Sequence, residues 1–426
     1  MSIPERWRTP LAVGFAFLAL IVVLLFLAIW RTSTGWGYDF SAYYDAANRL
    51  QATGTPYQVE TLSGPFRPGP GGLYLYSPAL AVSLLPMADV PFDMATVLWL
   101  AVRFVLFLAT FALMPVSRNI RLAVFTLACV TPSALEDLNL GNISLVVTFL
   151  GVIAWRYLDK PVAGVAIGLS MLIRPTMAVI AGWWLLRRRF APVIATVATV
   201  ALAVLASLPF VGLGGWFDFV AVLRNLSSVT GVPRNFDMAS LALHLGAPTW
   251  FVTATLFGAY AIAVAAVLFS LRRDREVGFV VSVGATLLLS PLLWNHYLTH
   301  TWIVSAFLAA RGRWWGILLP LLTWLPQEML GFTALATTLL PFLARDALPD
   351  AARSSERPRR AITATSVDSP AVQMTGDASV TAVGTTQRRS VRAPQTMNAA
   401  ATGSRNRSGT GKSALGCIGS GGALAD

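Results

Sequence analysis

Long apolar runs separated by short polar segments that carry arginine are the dominant pattern along this chain. The clearest run covers residues 11–30, follows Arg6 and Arg8, and has the length of a helix that crosses a bilayer. It is too long for a simple signal peptide, so we expect it to remain in the protein. Because basic flanks stay in the cytoplasm, the pattern predicts a cytoplasmic N-terminus.

The same alternation continues to about residue 344, and basic ends follow every second segment. The later apolar segments cover residues 95–115, 122–133, 142–155, 162–172, 176–186, 190–209, 250–271, 278–291, a segment that returns from "WNHYLTH" at 294–300 to Arg311, and then 314–326 and 329–344. A long polar outer loop is expected at 210–248. The pattern predicts an all-α polytopic membrane protein with about 12 transmembrane or half-spanning helices and both termini in the cytoplasm.

Composition supports this class, since 55% of the residues are hydrophobic and only 12% are charged. The formal net charge of +12 could suggest a nucleic-acid partner, but the basic residues lie between apolar segments and in the C-terminal tail. We therefore expect contact with membrane lipids and no nucleic acid. The two cysteines, Cys129 and Cys417, lack metal-ligand neighbours and form no disulfide framework.

The chain divides into two regions by composition. Residues 1–345 contain the apolar segments and form the predicted transmembrane domain. Residues 346–426 are rich in Arg, Ser, Thr and Gly and hold few large apolar side chains. Such a segment cannot bury enough surface to fold alone, so we predict a disordered cytoplasmic tail that touches anionic lipid through its arginines.

The topology places charged residues from distant segments on one outer face. They are Asp39, Asp45, Glu136, Asp137, Arg174, His296 and His300. Inside the predicted spans the only obvious charge is Arg103, whereas an ion-coupled carrier keeps ionisable groups near the bilayer midplane. The chemistry is therefore expected at the outer membrane boundary.

The first outer loop, "YDFSAYYDAANRL", places Tyr43, Ala47 and Leu50 at helical spacing. This predicts a short amphipathic helix along the membrane interface, with Asp39 just before it. Asp39 could be a helix N-cap or a first-turn acid, neither of which needs chemistry, or an acid that acts on a substrate. Tyr43 and Tyr44 near this acid are the kind of aromatic surface that holds a sugar ring.

Two further motifs carry outer polar residues. "EDLNLGNISLVV" contributes Glu136, Asp137 and Asn142, although a simple polar turn also explains each of them. "MLIRPTMAV" interrupts an apolar run with Arg174, which needs an anionic partner near hydrocarbon. A lipid phosphate, an ion pair with Glu136 or Asp137, or snorkelling to the interface would each satisfy it.

The segment "LLLSPLLWNHYLTH" carries two of the three histidines, His296 and His300. Their spacing of four places them on one face if the segment is α-helical. No HExxH pattern is present and the outer acids are remote in sequence, so hydrogen bonding to a phosphate or sugar is favoured over a metal site.

Five motifs occur in order between residues 38 and 298: "YDFSAYYDAANRLQATGTPY", "YLYSPALAVSLLP", "NLGNISLVV", "IRPTMAV" and "SPLLWNHYL". Together they resemble glycosyltransferase family 87, whose members are membrane enzymes of the GT-C class, including actinobacterial mannosyltransferases that use polyprenyl-phosphate-mannose. The resemblance implies a GT-C type bundle with an extracytoplasmic active-site face and makes Asp39 the catalytic base. The chain departs from the family at Gly141-Asn142, where Gly-Gln is common, and at His296-Tyr297, where His-His is common.

The resemblance and the residues together suggest one reaction in the cell membrane. Asp39, with its pKa raised by burial, deprotonates an acceptor hydroxyl of a glycolipid or glycan, which attacks mannose on a polyprenyl-phosphate donor. Arg174, with His296 or His300, holds the phosphate, and a β-linked donor gives an α-mannoside without an obvious need for a metal or other cofactor. Alternatives are another polyprenyl-phosphate sugar such as arabinose, a lipid or sugar transporter, and a non-catalytic scaffold.

Overall fold

The computed structural model describes residues 5–33, 35–63, 72–226 and 235–344. All of them belong to one compact unit, Met1–Pro358. The predicted tail at 346–426 lies outside the described residues.

The described residues form helices and connecting turns, with no β-strand among them. The α-helices are α1 (Glu5–Trp30), α2 (Tyr38–Thr53), α3 (Val59–Leu62), α4 (Pro78–Ala88), α5 (Phe92–Leu113), α6 (Arg118–Cys129), α7 (Pro132–Leu140), α8 (Ser144–Arg156), α9 (Pro161–Ile173), α10 (Ala178–Leu186), α11 (Phe190–Asn225), α12 (Met238–His244), α13 (Thr249–Ser270), α14 (Arg275–Leu288), α15 (Thr301–Ala310) and α16 (Leu330–Leu339). Short 3₁₀ helices cover Pro175–Met177, Asn295–His300, Trp314–Trp324, Gln327–Met329 and Leu340–Leu343.

Four of the described helices are long and apolar enough to cross a membrane, namely α1, α5, α11 and α13. A fifth span results if α7 and α8, which meet at a bend of 120°, are counted together. These helices make the chain a helical membrane protein, but the predicted count of about 12 is not confirmed. Most other segments are 9 to 14 residues long, and at about 1.5 Å per residue they are shorter than a hydrocarbon core of about 30 Å.

The prediction of a polar loop at 210–248 is wrong for residues 210–225, which are helical. Helix α11 continues to Asn225 and changes direction at Gly212, whose φ of 61° and ψ of −173° lie outside the helical region. The segment after this glycine, "LGGWFDFVAVLRN", is largely apolar and supports a second helical stretch. A glycine-bearing kink was therefore mistaken for the start of a loop, and α12 also falls within the predicted loop.

The basic loops lie together at one end of the helices. Arg187 Nη1 donates to the Arg273 carbonyl over 3.0 Å, and Asp159 lies 3.9 Å from Arg189 and 3.6 Å from Arg275. Helix α8 ends in this region and α9 begins there. The N-terminal end of α8 and the C-terminal end of α9 are consequently at the opposite end, where the candidate site lies.

Helix α2 confirms the amphipathic helix predicted from the first outer loop. Its buried face includes Phe40, Tyr43 and Leu50, and it follows Gly37, which has a φ of 69°. The sequence analysis had placed Asp39 just before this helix, but the structure places it in the first turn. A carboxylate is favourable there because the N-terminus of a helix carries partial positive charge.

Candidate active site

The sharp break between α7 and α8 forms one wall of the candidate site. Helix α7 ends at Gly141, which has a φ of 76° and whose N–H bonds the Asp137 carbonyl. A Cβ atom at Gly141 would lie only 2.7 Å from Phe40 Cβ, so the break presses closely on the first turn of α2. Only a glycine combines this left-handed backbone with that approach.

Asn142 projects from this break and holds Asp39. Its Nδ2 donates to Asp39 Oδ2 over 2.7 Å, while its Oδ1 accepts from the Ser144 N–H at 2.8 Å and the Ser144 hydroxyl at 2.7 Å. The two donors from Ser144 fix which end of the amide faces which neighbour. Asn142 therefore presents an N–H to Asp39 and accepts no proton from it.

The environment of Asp39 suits a general base at neutral pH. The side chain is half-buried, and burial raises its pKa from 3.8 to about 7. The hydrogen bond from Asn142 opposes this rise, repulsion from Asp137 and Glu136 adds to it, and attraction to Arg103 opposes it. Because this pKa is close to neutrality, the carboxylate can both accept a proton and release it again.

Arg174 lies where α9 stops and Pro175 starts a 3₁₀ turn. Its Nη2 donates to the Ser144 hydroxyl over 2.9 Å, and its guanidinium carbon lies 3.4 Å from the centre of the Tyr297 ring. The residue is 6% exposed, and its Nη1 has no hydrogen-bond partner among the described residues. A buried cation therefore keeps an unused donor.

The two histidines precede α15 in the 3₁₀ helix Asn295–His300, so the α-helical condition for a shared face is not met. With three residues per turn, positions four apart point in different directions. Burial lowers the pKa of His300 to about 3 and the pKa of His296 well below its usual range. Both rings are therefore neutral at physiological pH.

The tautomer of His300 follows from its hydrogen bond. Its Nδ1 lies 3.0 Å from the Tyr297 carbonyl, which can only accept, so Nδ1 carries the proton and Nε2 is left as an acceptor. Neither ring nitrogen of His296 has a partner among the described residues. His296 can thus donate one hydrogen bond to a ligand, whereas neutral His300 can only accept one.

The remaining predicted acids do not pair with Arg174. Asp137 forms a buried ion pair with Arg103, the charge inside α5, and no ion pair joins Arg174 to Asp137 or Glu136 among the described residues. Glu136 acts on Asp39 through its charge. Asp137 therefore neutralises Arg103 and not Arg174, which contradicts that alternative.

The two neighbouring tyrosines of α2 have different surroundings. Tyr43 lies beneath the break, where its hydroxyl accepts from the Ile143 N–H at 3.3 Å and lies 3.2 Å from the Tyr76 hydroxyl. Tyr44 donates to the Val90 carbonyl over 2.8 Å and contacts Phe92. The structure therefore brings Tyr43, but not Tyr44, to the Asp39 region.

Sequence reasoning missed two residues that connect the site. Ser144 links Asn142 to Arg174, and Tyr297 stacks on Arg174. Both lie inside motifs that had been singled out, "NLGNISLVV" and "SPLLWNHYL", but a serine or tyrosine in an apolar motif gives no distinct signal. Among the described residues no group of three or more His, Cys, Asp or Glu side chains could hold a metal ion.

Fold and site thus define a helical membrane protein in which a carboxylate with the pKa of a general base is linked to a buried cation. Residues 74–291, just over half of the 426-residue chain, match the family model of glycosyltransferase family 87. The chain belongs to this family and is a glycosyltransferase. The match includes Asn142 and Arg174, begins after Asp39 and ends before His296. No curated protein and no solved structure is significantly similar to the chain.

Proposed function

We propose that this protein transfers mannose from a polyprenyl-phosphate donor to an acceptor hydroxyl of a glycolipid or glycan. The observation that carries the proposal is the chain of hydrogen bonds from Asp39 through Asn142 and Ser144 to Arg174. It joins a carboxylate whose pKa is about 7 to a buried guanidinium with an unused donor. These are the two groups that glycosyl transfer from a phosphate requires.

The cation binds the donor phosphate. Arg174 Nη1 donates to a phosphate oxygen, and the Tyr297 ring and Ser144 hydroxyl hold the guanidinium in place. Neutral His296 adds one further hydrogen bond, since both its ring nitrogens lack partners within the described part of the chain. His300, an acceptor at Nε2, suits a sugar hydroxyl better than a phosphate.

The reaction is a single displacement at the anomeric carbon. Asp39 takes the proton of the acceptor hydroxyl as that oxygen forms a bond to the anomeric carbon. The bond between this carbon and the phosphate oxygen breaks, and its electron pair leaves with the phosphate. Arg174 stabilises the charge that develops there, which lowers the barrier to departure. Attack opposite the leaving group inverts the β-linked donor to an α-linked product.

Topology supports an extracytoplasmic site in a multi-pass protein of the cell membrane. The arginine-rich loops lie at the end of α8 and α9 that is remote from Asp39. Basic loops stay in the cytoplasm, so the candidate site faces outward and both termini lie in the cytoplasm. A lipid-borne donor then reaches the site from the outer leaflet.

The test is sugar transfer by the purified full-length protein, with radiolabelled polyprenyl-phosphate-mannose and a membrane-lipid acceptor fraction. We expect Asp39→Asn to lower transfer by a factor of about 10² to 10⁴, because a general base is lost. Asp45→Asn is the matched control, since Asp45 is an exposed acid on the same helix. Equal transfer by wild type and Asp39→Asn contradicts the assignment of the base.

The donor sugar is tested in the same assay with polyprenyl-phosphate-arabinose. Faster transfer of arabinose would replace mannose in the proposal and leave the roles of Asp39 and Arg174 unchanged. Absence of transfer from every polyprenyl-phosphate sugar would overturn the proposed donor class.

A further inference from the structure

Arg103, the lone charge in the middle of α5, is fully buried and does not touch Asp39 or Arg174 through any hydrogen bond. We infer that Arg103 is a positioning residue for glycosyl transfer, which fixes the break between α7 and α8 and thereby sets Asn142 against Asp39. The inference rests on the proposed role of Asp39 as the base.

A guanidinium inside an apolar helix is costly and needs partners that compensate its charge. Arg103 finds them at the end of α7, where Nη2 bonds both the carboxylate and the main-chain carbonyl of Asp137. Its Nη1 donates to the Leu138 carbonyl over 3.3 Å. The Asp137 carbonyl also accepts the Gly141 and Asn142 N–H groups, so Arg103 binds the same carbonyl that ends the helix and thereby fixes the place where α7 ends.

Asp137 also connects the two sides of the break between α7 and α8. Its second carboxylate oxygen accepts from the Leu145 N–H at 3.2 Å, in the first turn of α8. One side chain therefore joins the last turn of α7 to the first turn of α8 at a bend of 120°. The residues between those two points, which include Asn142, are held from both sides.

Helix α5 supplies a second contact with the same break. Trp99 is four residues before Arg103 and so lies on the same face of the helix. Its indole N–H donates to the Gly141 carbonyl over 2.7 Å. Arg103 and Trp99 together hold the main chain before and beside Asn142.

Small movements of the break have direct consequences at the base. The amide of Asn142 reaches Asp39 at 2.7 Å, and Gly141 leaves no room for even a methyl group against Phe40. A break that relaxes away from α5 lengthens the hydrogen bond to Asp39 or pushes on the first turn of α2. Arg103 thus acts on the reaction through Asn142.

A double-mutant cycle tests this path, with Arg103→Lys, Asn142→Ala and the double variant measured for kcat and for donor KM. We expect Arg103→Lys to lower kcat by no more than Asn142→Ala does, within about 5- to 50-fold at pH 7, with little change in donor KM. The double variant should be no slower than Asn142→Ala, because both changes remove one interaction. The inference is overturned if the loss of kcat in the double variant equals the product of the two single losses, or if Arg103→Lys keeps the kcat of wild type.

Arg121→Lys is the control for a general effect of replacing a carbonyl-binding arginine. Arg121 donates to the Val116 and Ala112 carbonyls at 2.9 and 2.7 Å, away from the site. We expect its kcat to stay within about twofold of wild type, as for most changes remote from a site. If Arg103→Lys does not fold, Trp99→Phe replaces it in the cycle, since this change removes the indole N–H that bonds the Gly141 carbonyl and keeps a smaller aromatic ring against Phe40.

A second readout needs no activity and separates this inference from the proposed function. Dicyclohexylcarbodiimide modifies protonated carboxyl groups, so mass spectrometry of Asp39 labelling against pH reports how well Asn142 holds its carboxylate. We expect Arg103→Lys, Asn142→Ala and the double variant to move the labelling midpoint to higher pH by similar amounts. Absence of transfer by wild type refutes the proposed function, whereas an unmoved midpoint in Arg103→Lys refutes the positioning role.

Discussion

Removing the hydrogen bond that Asn142 donates to Asp39 should move the acid limb of the transfer reaction to higher pH. In the Asn142→Ala protein the carboxylate keeps its burial but loses the one neutral donor that stabilises its charged form. The folded-state pKa of Asp39 therefore rises. Since the base must be ionised to accept a proton, activity at a given pH falls.

The size of the shift follows from the hydrogen bond. A bond to a charged group contributes about 1.5 to 3 kcal/mol, and one pKa unit corresponds to about 1.36 kcal/mol. The pKa of Asp39 should thus rise by about 1 to 2 units from its value of about 7. At pH 7 the ionised fraction then falls from about one half to between about one tenth and one hundredth, which predicts a loss of about 5- to 50-fold.

The measurement is kcat/KM for the donor between about pH 5.5 and 9.5, because this quantity reports the ionisation of the free enzyme. The deficit of Asn142→Ala should shrink as pH rises and the residual base ionises. Asn48→Ala is the matched control, since Asn48 lies on the same helix as Asp39 but donates to a main-chain carbonyl, that of Tyr44, over 3.0 Å. An acid limb at the wild-type pH, or a deficit that is constant across the range, would refute the reasoning.

Three further outcomes are expected. Asp39→Asn should raise the free energy of unfolding above that of wild type by about 1 to 3 kcal/mol above pH 7, with no gain below pH 4. The reason is that the raised pKa of Asp39 makes the stability of the wild type fall as pH rises from 3.8 to about 7. Thermal unfolding in detergent at both pH values checks the sign. Gly141→Ala should lower both the melting temperature and kcat more than Gly54→Ala, since both glycines have positive φ but only Gly141 lacks room for a Cβ. Arg174→Lys should raise donor KM by about 10- to 100-fold through loss of a charge-assisted hydrogen bond; Arg187→Lys, whose guanidinium also lies over an aromatic ring at 5.5 Å, should leave it unchanged.

The apolar pattern predicted the helices well where they are long and continuous. The predicted segment 250–271 lies one residue from α13 at each end, and the first span ends with α1 at Trp30, although α1 already begins at Glu5. The pattern could not show that the segment "WNHYLTH" winds as a 3₁₀ helix or that α11 continues beyond Gly212. Both depend on packing against distant parts of the chain, which periodicity does not record.

The site was predictable as a set of motifs but not as a set of contacts. The sequence marked Asp39, Asn142 and Arg174 as outer polar residues, and hydrogen bonds through Ser144 connect them. It could not decide which acid neutralises which arginine, since every candidate pair is separated by tens of residues. The pairing of Asp137 was therefore open until the packing of α5 on α7 was known.

This pairing gives two aspartates in one region different surroundings, and hence different roles in the proposed reaction. Asp137 meets a guanidinium and a main-chain N–H, and through these contacts it holds the backbone. Asp39 meets only a neutral amide, and burial without a cationic partner moves its pKa to about 7. A direct pair with Arg103 would favour the ionised form of Asp39, lower its pKa and weaken it as a base. Because Asp137 binds the arginine of α5, Asp39 has no cationic partner, which is the state that the proposed proton transfer needs.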